Sequence, residues 1–343
     1  MSSKHGKYAK RSRKLSRKQL YGIAVAALIA VSLMAVYSFY NQPNSEFKAT
    51  IIDQLSSMEG FINATFVKAA NNTLNTAGYP VIYHKGSDVT VDFYRSLPKN
   101  GYKILIFRVH SALRLDNNKL IAPLDFFTSE RYSNTTHVAD QIANRLDIVM
   151  YNSSGNKYFG IRPSFVTDAM WGDFQNATVI LMGCNGLDGQ LRSQSMLQAL
   201  VGMGAKVVIG WNATVSEPHT DNATERLLYH LLVENKTVSV AVNETNNEIG
   251  PETLTENGAK VVNELLYYPS KASPFYTTAD VGNYTIPHGP SKSAATKIGG
   301  DYILPFSNEG VLALSLLLSV TELDAFGKFR RKTSSVFQSV STQ

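Results

Sequence analysis

The sequence predicts an α/β protein with a mainly parallel central sheet, preceded by one N-terminal transmembrane helix. Short runs of apolar, β-forming residues alternate with amphipathic segments of helical period. This alternation is typical of parallel strands joined by helical crossovers. A separate run of 21 residues near the start of the chain carries no charge, and such a run is typical of a membrane span.

The basic N-terminal tail, residues 1–19, holds eight of the 33 Lys and Arg residues and no acidic residue. The remaining chain has 25 basic and 27 acidic residues, so the net charge of +6 comes from the tail. A basic tail can bind nucleic acid. Here an uncharged apolar run follows it directly, so we expect a membrane and no nucleic acid as its partner.

Residues 20–40, "LYGIAVAALIAVSLMAVYSFY", are the predicted anchor. As a helix they would span about 31 Å, close to the roughly 30 Å of a hydrocarbon core. A cleavable signal peptide is the alternative, but its apolar region is shorter, and no small-residue cleavage site follows here. The positive-inside rule places the tail in the cytoplasm and the rest of this single-pass protein outside the cell.

N-glycosylation acceptor motifs support this orientation. Ten Asn-x-Ser/Thr motifs follow the anchor, where chance would give about four. A chain rich in Ser, Thr and Asn is the simpler explanation, since a motif is used only where it is exposed to the enzyme. The candidate acceptors are Asn63, Asn71, Asn134, Asn152, Asn176, Asn212, Asn222, Asn235, Asn243 and Asn283.

Residues 41–78 are predicted to form a helical stalk, because Phe47, Ile51, Leu55, Met58 and Ile62 recur at helical spacing. Residues 79–285 are predicted to form the α/β domain. The predicted strands are "PVIYH", "YKILIFRVH", "LIAPLDFFT", "TVILMGC" and "AKVVIGW". The predicted helices are "VTVDFYRSL", "THVADQIANRL", "SQSMLQALVGMG", "DNATERLLYHLLVE" and "TVSVAVNETNNEI".

Residues 286–343 are predicted to be a linker and a C-terminal apolar helix with a basic end. The linker is rich in Pro, Gly and Ser. The apolar run at 310–320 is too short to span a bilayer, so we expect a docked or interfacial helix there, and membrane contact stays open.

Cys184 is the only cysteine of the chain and ends an apolar strand, "TVILMGC". A single cysteine forms no disulfide within its chain, and no thiolate metal spacing is present. His110 ends a second apolar strand, "YKILIFRVH". Catalytic groups gather at the carboxyl ends of parallel strands, and an imidazole beside a thiol generates the thiolate. Gly183 and Gly186 would expose the sulfur and free backbone N–H groups to bind an oxyanion. Taken singly, each residue is explained as well by a core role.

The block from Ala177, "ATVILMGCNGLDGQLRSQSMLQALVGMGAKVVIGWNATVSEPHTDNATERLLYHLLVENKTVSVAV", resembles the C-terminal half of a CHAT domain. CHAT domains belong to the caspase-like (clan CD) cysteine peptidase superfamily. The resemblance covers residues 79–250 and maps the family's catalytic pair on Cys184 and His110. It implies a caspase-like three-layer sandwich and a cysteine peptidase. One residue departs from the family pattern: Ser111 stands where the family has a glycine whose N–H serves the oxyanion hole.

Three further residues are candidates for a substrate pocket: Asp188, Trp211 and Asp221. Each has a structural alternative. Asp188 is explained as a surface turn carboxylate, Trp211 as core packing and Asp221 as a helix N-cap.

Together these features predict a membrane-anchored, outward-facing cysteine endopeptidase that uses a His–Cys dyad on a peptide or protein substrate. It would need no cofactor and no metal. The alternative is a catalytically inactive, glycosylated cell-surface binding module on the same fold. The sequence leaves open the cleavage specificity, any activation step and the oligomeric state.

Overall fold

The computed structural model describes residues 24, 27–28, 31–32, 47–116, 119–151, 155–256, 259–271 and 279–289. Among these residues, no helix combines the length and apolarity needed to cross a membrane. The predicted anchor at 20–40 falls mostly outside them, as do the tail at 1–19, Asn152 and the predicted C-terminal helix at 310–320.

A six-stranded central sheet organises the described chain, in the order β2-β1-β3-β8-β9-β12. All neighbours in it are parallel except β12, which runs antiparallel to β9. The α/β class and the mainly parallel sheet are therefore confirmed. Its strands are β1 (Ala49–Asp53), β2 (Val81–Lys85), β3 (Ile104–Arg108), β8 (Thr178–Leu181), β9 (Val207–Trp211) and β12 (Leu265–Tyr268).

A second sheet is inserted between β3 and β8, with four antiparallel strands in the order β4-β5-β7-β6. These are β4 (Ser111–Asp116), β5 (Lys119–Arg131), β6 (Leu146–Met150) and β7 (Lys157–Ile161). A hairpin of β10 (Thr253–Glu256) and β11 (Ala259–Val262) precedes β12. Of these strands, only part of β5 was predicted, as "LIAPLDFFT". The others are short or pair locally, so they lack the long apolar runs of central parallel strands.

Helices pack on both faces of the central sheet. Their bounds are α1 (Ala64–Thr76), α2 (Val91–Ser96), α3 (Val138–Ile142), α4 (Pro163–Ala169), α5 (Gln194–Gly202), α6 (Glu217–Leu228) and α7 (Val238–Ile249). A π-helical turn, Tyr229–Val233, extends α6. All five predicted helices are confirmed as α2, α3, α5, α6 and α7.

The central sheet has a hydrophobic core on each face. The strand β3 contributes side chains to both cores, because successive side chains of a strand face opposite ways. Ile104 and Ile106 pack with α1, α6 and α7, whereas Leu105 and Phe107 pack with α2, α4 and α5. The second sheet contributes to the latter core through residues such as Phe126. Burying both faces of a central strand is what the continuous run "KILIFRV" required.

The predicted helical stalk at 41–78 is wrong for its first half. Ala49–Asp53 form β1, a fully buried strand between β2 and β3. The apolar residues whose spacing suggested one long helix lie in different elements: this strand, a 3₁₀ turn at Gln54–Ser57 and the segment before α1. Five residues are too few to separate strand from helix periodicity. The α/β domain therefore begins at residue 49 and not at residue 79.

The predicted linker also begins too early. Ile286 is buried in the core on the α1 face of the sheet. Gly289 donates its N–H to the carbonyl oxygen of Ala77 at 3.0 Å. A Cβ on Gly289 would lie 2.5 Å from the carbonyl carbon of Gly78, so these two backbones touch only because both residues are glycine. Residues 286–289 are thus part of the domain.

Candidate active site at the carboxyl ends of β3 and β8

The candidate site lies where two adjacent central strands end. β3 pairs in parallel with β8, with Phe107 opposite Leu181. His110 follows the end of β3 by two residues, and Cys184 follows the end of β8 by three. The sequence therefore brings the two residues into neighbouring loops at the edge where α/β proteins place their catalytic groups.

The two loops are in direct contact. The Ser111 hydroxyl donates to the carbonyl oxygen of Cys184 at 2.7 Å. A Cβ on Gly183 would lie 2.5 Å from the carbonyl oxygen of Val109 and closer still to the Ser111 hydroxyl. The two loops approach this closely because residue 183 is glycine. The Ser111 hydrogen bond joins the loop that carries His110 to the loop that carries Cys184.

We expect Gly183→Ala to lower the free energy of unfolding by about 1–3 kcal/mol, because the added methyl overlaps a backbone oxygen that has little room to move. Urea denaturation of the full-length chain measures this change. Gly189→Ala is the matched control, because a Cβ there meets no atom within 4 Å. Equal stability of the two variants would contradict the close contact described for Gly183.

His110 is held by its backbone and enclosed by aromatic rings. Its N–H donates to the side-chain oxygen of Gln54 at 3.0 Å. Its ring centroid lies 5.8 Å from that of Phe61, 5.8 Å from that of Phe127 and 5.3 Å from that of Tyr151. Burial among these groups lowers the pKa of His110 to about 4. The imidazole is therefore neutral at pH 7 and available to accept a proton.

Cys184 is half-buried beside the core of the α1 face. Its Sγ donates to the carbonyl oxygen of Val215 at 3.6 Å. The turn that carries it is tied to the segment after β9, since Asn185 N–H donates to the carbonyl oxygen of Ala213 at 3.0 Å. Gly186 packs against the side chain of Leu181, where a Cβ would lie 3.2 Å from that residue's own Cβ. The turn that carries the Cys184 thiol is thus held by a hydrogen bond to Ala213 and by packing against Leu181.

The three candidate pocket residues have partners inside the protein. Asp188 is buried, ion-paired with Arg192, and accepts the backbone N–H of Arg192 at 3.0 Å. Trp211 is buried and donates its indole N–H to the Thr220 hydroxyl at 2.8 Å. Asp188 is therefore not the surface carboxylate of the structural alternative. Trp211 has the core position that its alternative described.

Asp221 belongs to a buried ion network that sequence reasoning missed. Arg108, the last residue of β3, is 1% exposed. Its guanidinium binds Asp221 through two hydrogen bonds of 2.8 and 2.9 Å and Asp53 through one of 2.8 Å. It also donates to the carbonyl oxygen of Phe61 at 2.9 Å, and Asn63 donates to Asp221 at 2.9 Å. The N-cap interpretation of Asp221 is wrong, because Ser216 is the N-cap of α6.

This network anchors the segment before His110. Burial alone would lower the pKa of Arg108, but the hydrogen bonds and charges of Asp221 and Asp53 outweigh it, and the pKa rises. A buried guanidinium between two carboxylates joins the ends of β1 and β3 to α6. A lone arginine within the apolar run "ILIFRV" is the signal that could have revealed it, since a buried charge needs partners.

The glycosylation motifs differ in exposure. Half-buried acceptors are Asn63, Asn71 and Asn212, of which Asn63 caps α1 by accepting the Phe66 N–H at 3.0 Å. The exposed acceptors are Asn134, Asn176, Asn222, Asn235, Asn243 and Asn283. These six offer side chains that a glycosyltransferase can reach.

Among the described residues, one group of side chains of the metal-ligating kinds lies away from the candidate site. His230, Glu234 and Glu244 place one ligand atom each within 4.8 Å of the others. The two carboxylates are already ion-paired with Lys236, whose ammonium lies 2.9 Å from Glu234. These side chains and Lys236 therefore form an ion-pair network in which the Lys236 ammonium neutralises the two carboxylates.

No family model matches this sequence, and no curated protein matches it at a significant level.

Proposed function

We propose that this chain is a membrane-anchored, outward-facing cysteine endopeptidase, a hydrolase similar to the CHAT domains of the caspase-like superfamily. The observation that carries the proposal is the contact between the two strand-end loops at Gly183, Val109 and Ser111. It supports His110 and Cys184 as one site, because both follow adjacent parallel strands and share a hydrogen-bonded junction.

In this proposal, the neutral imidazole of His110 accepts the thiol proton, and the Cys184 sulfur attacks the scissile carbonyl carbon. The peptide C–N bond then breaks, and His110 returns the proton to the leaving amine. Water, deprotonated by His110, hydrolyses the thioester and regenerates the thiol. Backbone N–H groups near Cys184 and Ser111 would hold the oxyanion.

The membrane and extracellular parts of the proposal rest on charge and exposure. The basic tail before the 21-residue uncharged run orients the domain outward under the positive-inside rule. Six acceptor asparagines on exposed surface are compatible with glycosylation there.

The function is tested by cleavage of a proteome-derived peptide mixture, with new N-termini identified by mass spectrometry. The purified full-length chain should produce cleavages that Cys184→Ala and Cys184→Ser both lack. Ser193→Ala is the control for loss of a small buried polar side chain close to the same turn. Identical cleavage by the parent chain and Cys184→Ala would overturn the proposal.

The second candidate, a binding module without catalysis, is favoured by one contact. The Cys184 thiol donates to the Val215 carbonyl oxygen and packs beside the core, as a structural cysteine does. In that case Cys184→Ala would leave partner binding intact, and no cleavage would depend on Cys184.

A further inference from the structure

A cavity of about 210 Å³ lies at the amino edge of the central sheet, opposite the candidate active site. Four of the residues that line it, Phe47, Tyr79, Lys103 and Asn176, come just before β1, β2, β3 and β8. Cavities for drug-sized ligands measure about 300–1,000 Å³. This smaller cavity therefore suits a compact group such as one sugar ring.

The lining of this cavity matches the two kinds of surface on a sugar ring. Tyr79 contributes a buried aromatic ring, and Phe47 and Tyr284 contribute half-buried ones. The face of an aromatic ring is electronegative, so it attracts the C–H bonds of a sugar. The Lys103 ammonium donates to the carbonyl oxygen of Gln175 at 3.0 Å. An ammonium has three N–H groups, so it can also donate to a sugar oxygen.

Asn176, an exposed glycosylation acceptor, is itself part of the cavity lining. It stands in the turn before β8, where its backbone is left-handed with a φ of 62°. Its N–H donates to the carbonyl oxygen of Gly204 at 2.8 Å, and the Ala177 N–H donates to that of Phe174 at 2.9 Å. These hydrogen bonds fix the turn beside the cavity, so a glycan on Asn176 would start at the cavity.

The third residue of this acceptor motif, Thr178, carries a hydroxyl for which the fold provides no partner. Thr178 is 1% exposed, and its hydroxyl oxygen has no hydrogen-bond partner among the described residues. A buried hydroxyl without a partner is destabilising, and valine would avoid this cost. Thr245, in the Asn243 motif, is equally buried but donates to the carbonyl oxygen of Ala241 at 2.8 Å. The glycosylation motif explains the Thr178 hydroxyl, because the motif requires Ser or Thr at this position.

We propose that the first sugar ring of an N-linked glycan on Asn176 docks in this cavity, against the rings of Phe47 and Tyr284. In the attachment step, the Asn176 amide nitrogen loses a proton and bonds to the anomeric carbon of a lipid-diphosphate-linked oligosaccharide, and the lipid diphosphate leaves. The inference rests on the outward-facing orientation in the proposed function, since the attaching enzyme acts outside the cytoplasm. It does not depend on the peptidase reaction.

The experiment compares melting temperatures of the full-length chain in detergent, produced in a glycosylating yeast and trimmed by endoglycosidase H to one N-acetylglucosamine per glycan. Asn176→Gln should lower the melting temperature by about 2–4 °C, because the docked sugar is lost. Asn134→Gln is the matched control, because it removes an exposed acceptor in the loop after β5. That change should shift the melting temperature by less than about 1 °C.

Replacing Tyr284 tests whether the cavity carries the effect. In a Tyr284→Leu background, which keeps an apolar side chain without an aromatic face, Asn176→Gln should shift the melting temperature by less than about 1 °C. If Tyr284→Leu does not fold, Phe47→Leu provides the same comparison, because Phe47 lines the same cavity.

Thr178→Val provides a second test that leaves Asn176 in place. Made in a host without N-glycosylation, this variant should melt at or above the temperature of the parent chain, because it removes a buried unpaired hydroxyl. Made in the yeast, it should melt below the parent, because it carries no glycan at Asn176. An equal loss in both hosts would show that the folded protein itself uses the hydroxyl and would contradict the inference.

Glycopeptide mass spectrometry separates the possible failures. An unmodified Asn176 would overturn the inference together with the glycan predicted at that position. A modified Asn176 whose loss shifts the melting temperature equally with and without Tyr284 would refute the docking alone. A Tyr284-dependent shift from Asn283→Gln in place of Asn176→Gln would overturn the assignment to Asn176. Cleavage that depends on Cys184 is measured separately, so the peptidase can fail or stand without the glycan site.

Discussion

Replacing Arg108 with methionine is expected to lower the free energy of unfolding by about 3–5 kcal/mol. The guanidinium is 1% exposed and holds Asp53 and Asp221, each at 2.8 Å. Removing it leaves two carboxylates buried without their shared cation. This loss of unfolding free energy exceeds the net stabilisation by the two ion pairs, because the carboxylates that remain buried without a cation are themselves destabilising.

Urea denaturation followed by tryptophan fluorescence measures this loss. Arg226→Met is the matched control, because the Arg226 side chain is 37% exposed and pairs with the exposed Glu248. That change should cost at most about 1 kcal/mol. Adding Asp53→Asn and Asp221→Asn to Arg108→Met should recover part of the stability. An Arg108→Met chain as stable as Arg226→Met would contradict the network.

Replacing His110 with alanine is expected to reduce peptide cleavage by about 10²–10⁴-fold, the range for loss of a positioned general base. His288→Ala, at an exposed position, should keep the parent rate. Cleavage of a peptide found in the proteome-derived mixture provides the assay. A His110→Ala chain within about threefold of the parent rate would remove His110 from the proposed mechanism.

The lowered pKa of His110 sets the acid side of the pH profile. Its pKa of about 4 predicts that cleavage persists as the pH falls below 6.5 and is lost near pH 4, where the base becomes protonated.

The free energy of unfolding also depends on this lowered pKa of His110. The unfolded chain binds a proton at this residue near pH 6.5 and the folded chain only near pH 4, so stability falls as the pH drops through this window.

Central strands were predictable because burial on both faces leaves a continuous apolar run, as in β3, β8 and β9. The strand β1 was missed, although it is equally buried, because its apolar residue Ile51 continues at helical spacing into Leu55, Met58 and Ile62. The antiparallel strands β4, β6 and β7 depend on pairing within the second sheet, where β4 and β7 pair with β5 and β6 pairs with β7. Their residues alternate or mix in polarity, so tertiary contacts decide their structure.

Of the candidate site, the positions of His110 and Cys184 at strand ends followed from the apolar runs before them. The contacts that order these residues could not be read from the sequence. Gln54 accepts a hydrogen bond from His110 only because β1 lies beside β3. Arg108 and Asp221 are hydrogen-bonded although more than 100 residues separate them in the sequence. Asp188 illustrates the same difficulty, since only the structure shows that Arg192 folds back on it.

The most direct measurement of the central claim is the rate at which a peptidyl acyloxymethyl ketone alkylates Cys184, followed by intact-mass spectrometry under reducing conditions. The reaction forms a thioether at Sγ and releases the carboxylate, so it needs no known substrate. The proposed dyad predicts one adduct on the parent chain, none on Cys184→Ala, and labelling slowed by about 10²-fold or more in His110→Ala. Equal labelling rates in the parent and His110→Ala, or no adduct on the reduced parent chain, would contradict it.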